Sequence, residues 1–228
     1  MSKKCIDLGV FALAVLFAGT AMAAPYLDDI IAGQEHILPA GNDLVYLTDL
    51  THPETSLSTL LLEYAAYESG FGIYDPITLN RLQVFDGDAE PAFPLLTQTE
   101  VEFDLILGTA TITASYKPSL VGTSAYIGTL FGFYLDANAS GTIYYTESSL
   151  NPDSASHGLI YNTSDANVIV AFEDLPASSW VGLEPDYDDF VVQVTDVSPV
   201  PEASTMLLFG SGLSGLMYLA RKKRLIKL

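Results

Sequence analysis

Basic residues are scarce in this sequence and oddly placed. Its 228 residues carry 9 Lys+Arg against 28 Asp+Glu, a net charge of -19. Between residues 24 and 200 only Arg81 and Lys117 are basic, while all acids but Asp7 and Glu202 lie there. A body this short of positive charge is repelled by phosphate, which excludes nucleic-acid binding. Cysteine is represented by Cys5 alone. It precedes the signal-peptide cleavage point argued below, so the mature chain is expected to lack disulfides and thiol chemistry. The three histidines, His36, His52 and His157, are too scattered for a zinc site. There is no H-E-x-x-H, no G-x-S-x-G, no phosphate-cradling glycine loop and no internal repeat. With no catalytic constellation, the expectation is that the protein is not an enzyme. A nearby pair of carboxylates, as a glycosidase needs, arises by chance in so acidic a body.

What is present begins with the two ends. Lys3 and Lys4 precede an apolar stretch, Leu8 to Ala18, and Ala21-Met22-Ala23 supplies small residues at −3 and −1. This is a signal peptide over 1–23, cut by signal peptidase after Ala23. At the other end, Ala203 to Ala220 is uncharged over 18 residues, and Arg221, Lys222, Lys223 and Arg224 follow at once. That length suits a single transmembrane helix at 203–220, and the basic tail (221–228) would stay cytoplasmic. Bases flanking two apolar segments and missing elsewhere give the charge layout of an exported domain.

Val-Pro-Glu-Ala-Ser-Thr (200–205), a glycine-bearing apolar run and the Arg-Lys-Lys-Arg cluster together resemble the PEP-CTERM sorting signal. Its triad falls on Pro201, Glu202 and Ala203, with Ala where Pro is most frequent. The resemblance implies an exosortase substrate that is held briefly in the inner membrane of a Gram-negative bacterium. After processing it would reach the cell surface or the extracellular matrix.

The body, 24–196, is long enough for one domain with a sizeable core. Val101, Phe103, Leu105 and Leu107 alternate with Glu102 and Asp104, the period of a half-buried strand. Thr109–Tyr116 reads as its hairpin partner across Gly108. Further strands are expected at 71–75, 81–85, 130–135, 142–147, 158–161, 167–172 and 190–195. The run 57–68 is ambiguous between helix and a long buried strand, and the strand is favoured. Nine or ten short strands with regular turn signals predict an all-β, two-sheet sandwich, jelly-roll-like. Val197–Pro201 reads as a short proline-bearing spacer opening the sorting region (197–228).

Several stretches between 60 and 194, among them Phe131–Asp136, Glu173-Asp174-Leu175 and Asp186–Asp189, resemble a bacterial exported domain of unknown function. That domain usually ends Glu-Asp-Leu, a glycine-rich loop, Asp-x-Asp-Tyr-Asn-Asp and an apolar strand. Here the loop 177–183 has one glycine, Glu184 replaces the first Asp, and Asp188 stands where Asn is common. The resemblance brings no established chemistry.

Two acid clusters stand out. Asp86, Asp88 and Glu90 read as a solvated turn. Glu173, Asp174, Asp186, Asp188 and Asp189 bracket one loop, with no base nearby in sequence. Carboxylates crowded together repel unless protonated or neutralised, and oxygen ligands in this number suit calcium. The sequence therefore predicts a calcium site there and no other cofactor. The expected function is a non-enzymatic surface or matrix module, linked through the sorting-signal resemblance to exopolysaccharide or biofilm. The alternative is a carbohydrate-binding or glycoside-cleaving β-sandwich.

Overall fold

A computed structural model describes residues 27–32, 43–50, 54–63, 68–87, 89, 97–137, 141–163, 166–180 and 185–200. The expected signal peptide with Ala21 and Ala23, the sorting residues Pro201, Glu202 and Ala203, the expected span and the Arg221–Arg224 cluster lie outside these residues. No helix among the described residues is long and apolar enough to cross a membrane.

Among the described residues the chain is all-β apart from one short helix, α1 (Leu27–Ile31), and two 3-10 turns. In order, the strands are β1 (Val45–Leu47), β2 (Glu54–Glu63), β3 (Ser69–Tyr74), β4 (Arg81–Phe85), β5 (Gln98–Asp104), β6 (Thr109–Ser115) and β7 (Ser124–Tyr126). They continue as β8 (Leu130–Ala137), β9 (Thr142–Tyr145), β10 (Gly158–Asn162), β11 (Asn167–Phe172), β12 (Phe190–Thr195) and β13 (Val197–Pro199). One antiparallel sheet runs β13-β1-β8-β3-β4, with β9 also on β8; the other runs β10-β11-β12-β2-β5-β6-β7. The chain changes sheet at β1–β2, β2–β3, β4–β5, β7–β8, β9–β10 and β12–β13. The runs β5-β6-β7 and β10-β11-β12 are meanders within one sheet.

Period-two patterning sets the sandwich. In β5, Thr99, Val101 and Phe103 are buried and their neighbours face outward. Phe71 stands at the centre of the core. Its ring stacks on Phe133 at 5.7 Å and on Phe190 at 5.8 Å, and meets Phe172 edge-on at 6.2 Å. Phe133 is on the same sheet, whereas Phe172 and Phe190 belong to the opposite one, so this cluster joins the two layers. β11 is buried on both faces because α1 covers its outer side. Leu27 and Ile31 pack there with Leu62, Tyr161, Ile169, Ala171 and Val191.

Of the long strand expected at 57–68, residues 57–63 lie in β2, paired with β12 and β5, and 64–67 lie outside the described residues. Two readings are corrected. The alternation expected to run on through Leu105 and Leu107 stops at Asp104, whose Oδ1 accepts from Ile106 N and Leu107 N and closes a turn that leaves Leu107 exposed. Val197–Pro199 is not a spacer but an edge strand, in register with β1 from Leu47↔Val197 to Val45↔Pro199. Val197 is fully buried, and an edge position tolerates the missing N–H of Pro199.

Two glycines are needed where β3 and β8 pair. Gly72 faces Tyr134 and Gly132 faces Tyr74, each ring lying across the opposite glycine. A Cβ on Gly132 would sit 2.6 Å from Tyr74 Cζ. Tyr74 cannot retreat, because it is fully buried and its hydroxyl donates to Glu147 Oε2 at 2.7 Å. Gly132→Ala should therefore cost about 2–3 kcal/mol as overpacking. Urea unfolding checks this, and an unchanged midpoint would mean the ring has room to move.

Candidate functional site

The acid site is built by strand register. β10 and β11 pair with Gly158 opposite Phe172, and Glu173 N donates to His157 O at 2.9 Å, one step past the ladder. β11 and β12 pair with Phe172 opposite Phe190. The next residues along, Glu173 and Asp189, are thereby brought face to face. Like charges at a cross-strand position oppose the fold.

Glu173, Asp174 and Asp189 each place a carboxylate oxygen within 4.8 Å of the others. Glu173 is 4% exposed and Asp174 1%. Asp174 N donates to Asp189 Oδ2 at 2.7 Å, and Leu175 N donates to Glu173 Oε1 at 3.1 Å. These bonds fix two of the three carboxylates. Neither oxygen of Asp174 has a hydrogen-bond donor. Burial, then the charge of Asp189, pushes both Glu173 and Asp174 up to about 7. Burial also raises Asp189.

Asp186 and Asp188 form the outer part of the cluster. Tyr187 between them has φ of 54°, so the segment is not a regular strand. Tyr187 hydroxyl donates to Ser156 O at 3.0 Å and pins the segment down. Burial, with the Asp186 charge next, raises Asp188 to about 6. Asp28, Tyr161, Pro185, Asp186, Tyr187 and Asp188 line a half-open cleft of about 440 Å³ beside α1. Of the five expected ligands, three converge on one point and two face this cleft.

The site's support was not visible as such in the sequence. His157, notable in the sequence only as too far from the other histidines for a zinc site, is fully buried beneath the acids. Its Nδ1 lies 3.1 Å from Glu173 O, and its Nε2 lies 3.0 Å from Asp153 Oδ2. The ring is thereby held from both sides, by a backbone carbonyl and a carboxylate. The ring stacks on Tyr144 at 3.7 Å and tilts against Trp180 at 5.1 Å. Asp153 also accepts from Ala177 N at 3.0 Å and Ala155 N at 3.1 Å. Burial alone would raise Asp153, but those two N–H groups and His157 bring it down to about 2. Asp153 and His157 thus form a strut under Glu173. The signal available in the sequence was the β10–β11 hairpin, which sets residue 157 across from 173.

Neither base of the body serves this site. Arg81 lies over the Tyr134 ring at 5.3 Å, and Lys117 pairs with Asp86. Asp86 also binds the Tyr116 hydroxyl, so it is a paired residue rather than a solvated acid. Asp88 and Glu90 lie outside the described residues.

Residues 126–196 match the family described as Domain of unknown function (DUF4114), and residues 199–224 match the PEP-CTERM protein-sorting motif. The first match begins in β7 and ends at the last residue before β13, so it includes the whole acid site. It starts well after residue 60, from which the resemblance was expected to run. The second match begins at the last residue of β13. No curated protein and no solved structure matches the chain.

Proposed function

We propose, proceeding from the PEP-CTERM motif, that this exported, exosortase-sorted protein delivers its β-sandwich to the cell surface or matrix as a non-enzymatic structural module. The observation that carries this reading is where the motif begins. β13 ends at Pro199, Val200 N donates to Leu44 O at 3.0 Å, and the motif match runs 199–224. The folded body therefore leads directly into the sorting signal, and a cut near Pro201–Ala203 frees a sandwich with all of its described strands in place. The link to exopolysaccharide or biofilm rests on the same motif, as does processing by exosortase, while cleavage by signal peptidase rests on the signal peptide expected at 1–23.

The cleft beside α1 favours a second reading, carbohydrate binding or cleavage. Two tyrosines and three carboxylates in an open cleft offer stacking surfaces and hydroxyl acceptors. Two assays separate the readings. A deletion strain should lose matrix attachment, while the purified protein should neither select a sugar on a glycan array nor release reducing ends. Tight, selective sugar binding or turnover would replace the structural reading with the second one.

A further inference from the structure

We propose that Glu173, Asp174 and Asp189 seat one calcium ion that ties the end of β11 to the start of β12. This goes beyond the delivery role above and does not depend on it. The first ground is Asp174, 1% exposed, with no donor to either oxygen. A buried carboxylate with no hydrogen bond is costly, and the group that most directly satisfies both oxygens is a cation. The second ground is convergence, three carboxylates within 4.8 Å at a position where register opposes Glu173 to Asp189. Third, both body bases are engaged elsewhere, with Tyr134 and Asp86.

The donor set selects the ion. All three ligands are carboxylates, and the one nearby histidine has both ring nitrogens occupied by Glu173 O and Asp153. Zinc, which prefers nitrogen and sulfur, is therefore poorly served. Calcium accepts about six to eight oxygens in irregular geometry, including bidentate carboxylates. Asp174 offers two free oxygens. Glu173 and Asp189 each tie one oxygen to a backbone N–H, which orients both carboxylates towards Asp174. Water from the cleft side would complete the shell. Magnesium demands a near-ideal octahedron and gives up its waters reluctantly, which fits a buried, crowded seat less well.

Trp180 makes the test direct. It is the sole tryptophan and packs on His157, whose ring contacts Glu173 O. Terbium added to the full chain in detergent and excited through Trp180 should emit, and calcium should displace it. Calorimetric titration should give one calcium per chain with Kd of roughly 10⁻⁴ to 10⁻³ M. Asp174→Asn should weaken binding at least about tenfold, whereas Glu102→Gln, removing one charge from the outer face of β5, should leave it unchanged. If Asp174→Asn does not fold, Asp189→Asn and Glu173→Gln serve as the readout. The proposal is overturned if wild type binds no calcium at about 10 mM, or if the folded site variants bind as wild type does.

Discussion

Freed of metal, the protein should become less stable as the pH rises from 5 to 8, opposite to ordinary acid denaturation. Glu173 and Asp174 are held up to about 7 by burial and by Asp189, and Asp188 is raised to about 6. Unfolded, these groups return to ordinary carboxylate values near 4. The folded state then binds more protons than the unfolded state between those limits, so stability falls with pH there. The contribution is fully present below about pH 4 and is lost as the pH passes about 7. Asp153, brought down to about 2, has the opposite sign. Its contribution is lost only on acidification towards pH 2, so it is silent in this window. A single unit of net shift is worth about 1.4 kcal/mol. For a body of this size that corresponds to a melting-temperature drop of roughly 3–6 °C. Asp174→Asn should flatten the slope, because an amide needs no proton. Calcium at ten times its Kd should add about 1.4 kcal/mol back at pH 8, and little at pH 5 where protons compete. Scanning calorimetry with and without chelator checks all of this. A melting temperature that rises steadily from pH 5 to 8 without metal would refute the account of the site.

Phe71→Ala should have the largest effect on the fold. Phe71 is fully buried and touches rings from both sheets, so truncation opens a cavity where the layers meet. Buried Phe to Ala costs about 3–5 kcal/mol, a large share of the roughly 5–15 kcal/mol that holds a domain together. Guanidinium unfolding should show the midpoint falling accordingly. Ile77→Ser is the contrast. Ile77 is 87% exposed on the β3–β4 turn, and its replacement should leave the midpoint unchanged. Equal losses in the two variants would mean that the sandwich is not held by the Phe71 cluster.

The strands that were legible in the sequence were those whose pattern is local. β5 alternates cleanly as far as Asp104 and β6 follows after Gly108, so the hairpin was legible from period and turn chemistry. The turn takes up Leu105 and Leu107, which sequence period alone assigns to the strand. β11 and β12 are apolar runs flanked by polar turns, as central strands are. β1 and β7 have three residues each, too few to display a period. β13 was misread because its proline and brevity resemble a linker, and only pairing with β1, some 150 residues earlier, makes it a strand. The acid site divides the same way. That five acids shared a loop without a base was plain from composition. Which three converge depends on the pairing of Phe172 with Phe190, a tertiary fact. The role of His157 needed the hairpin before it and the stack on Tyr144.

The central claim is that a complete sandwich is carried to the surface by a tail that is then removed. Intact-mass measurement of the chain recovered from surface and medium fractions tests it most directly. The account predicts a species beginning at Ala24 and ending near Pro201–Ala203, with β13 retained. Recovery of chains that all still carry Arg224 would contradict it.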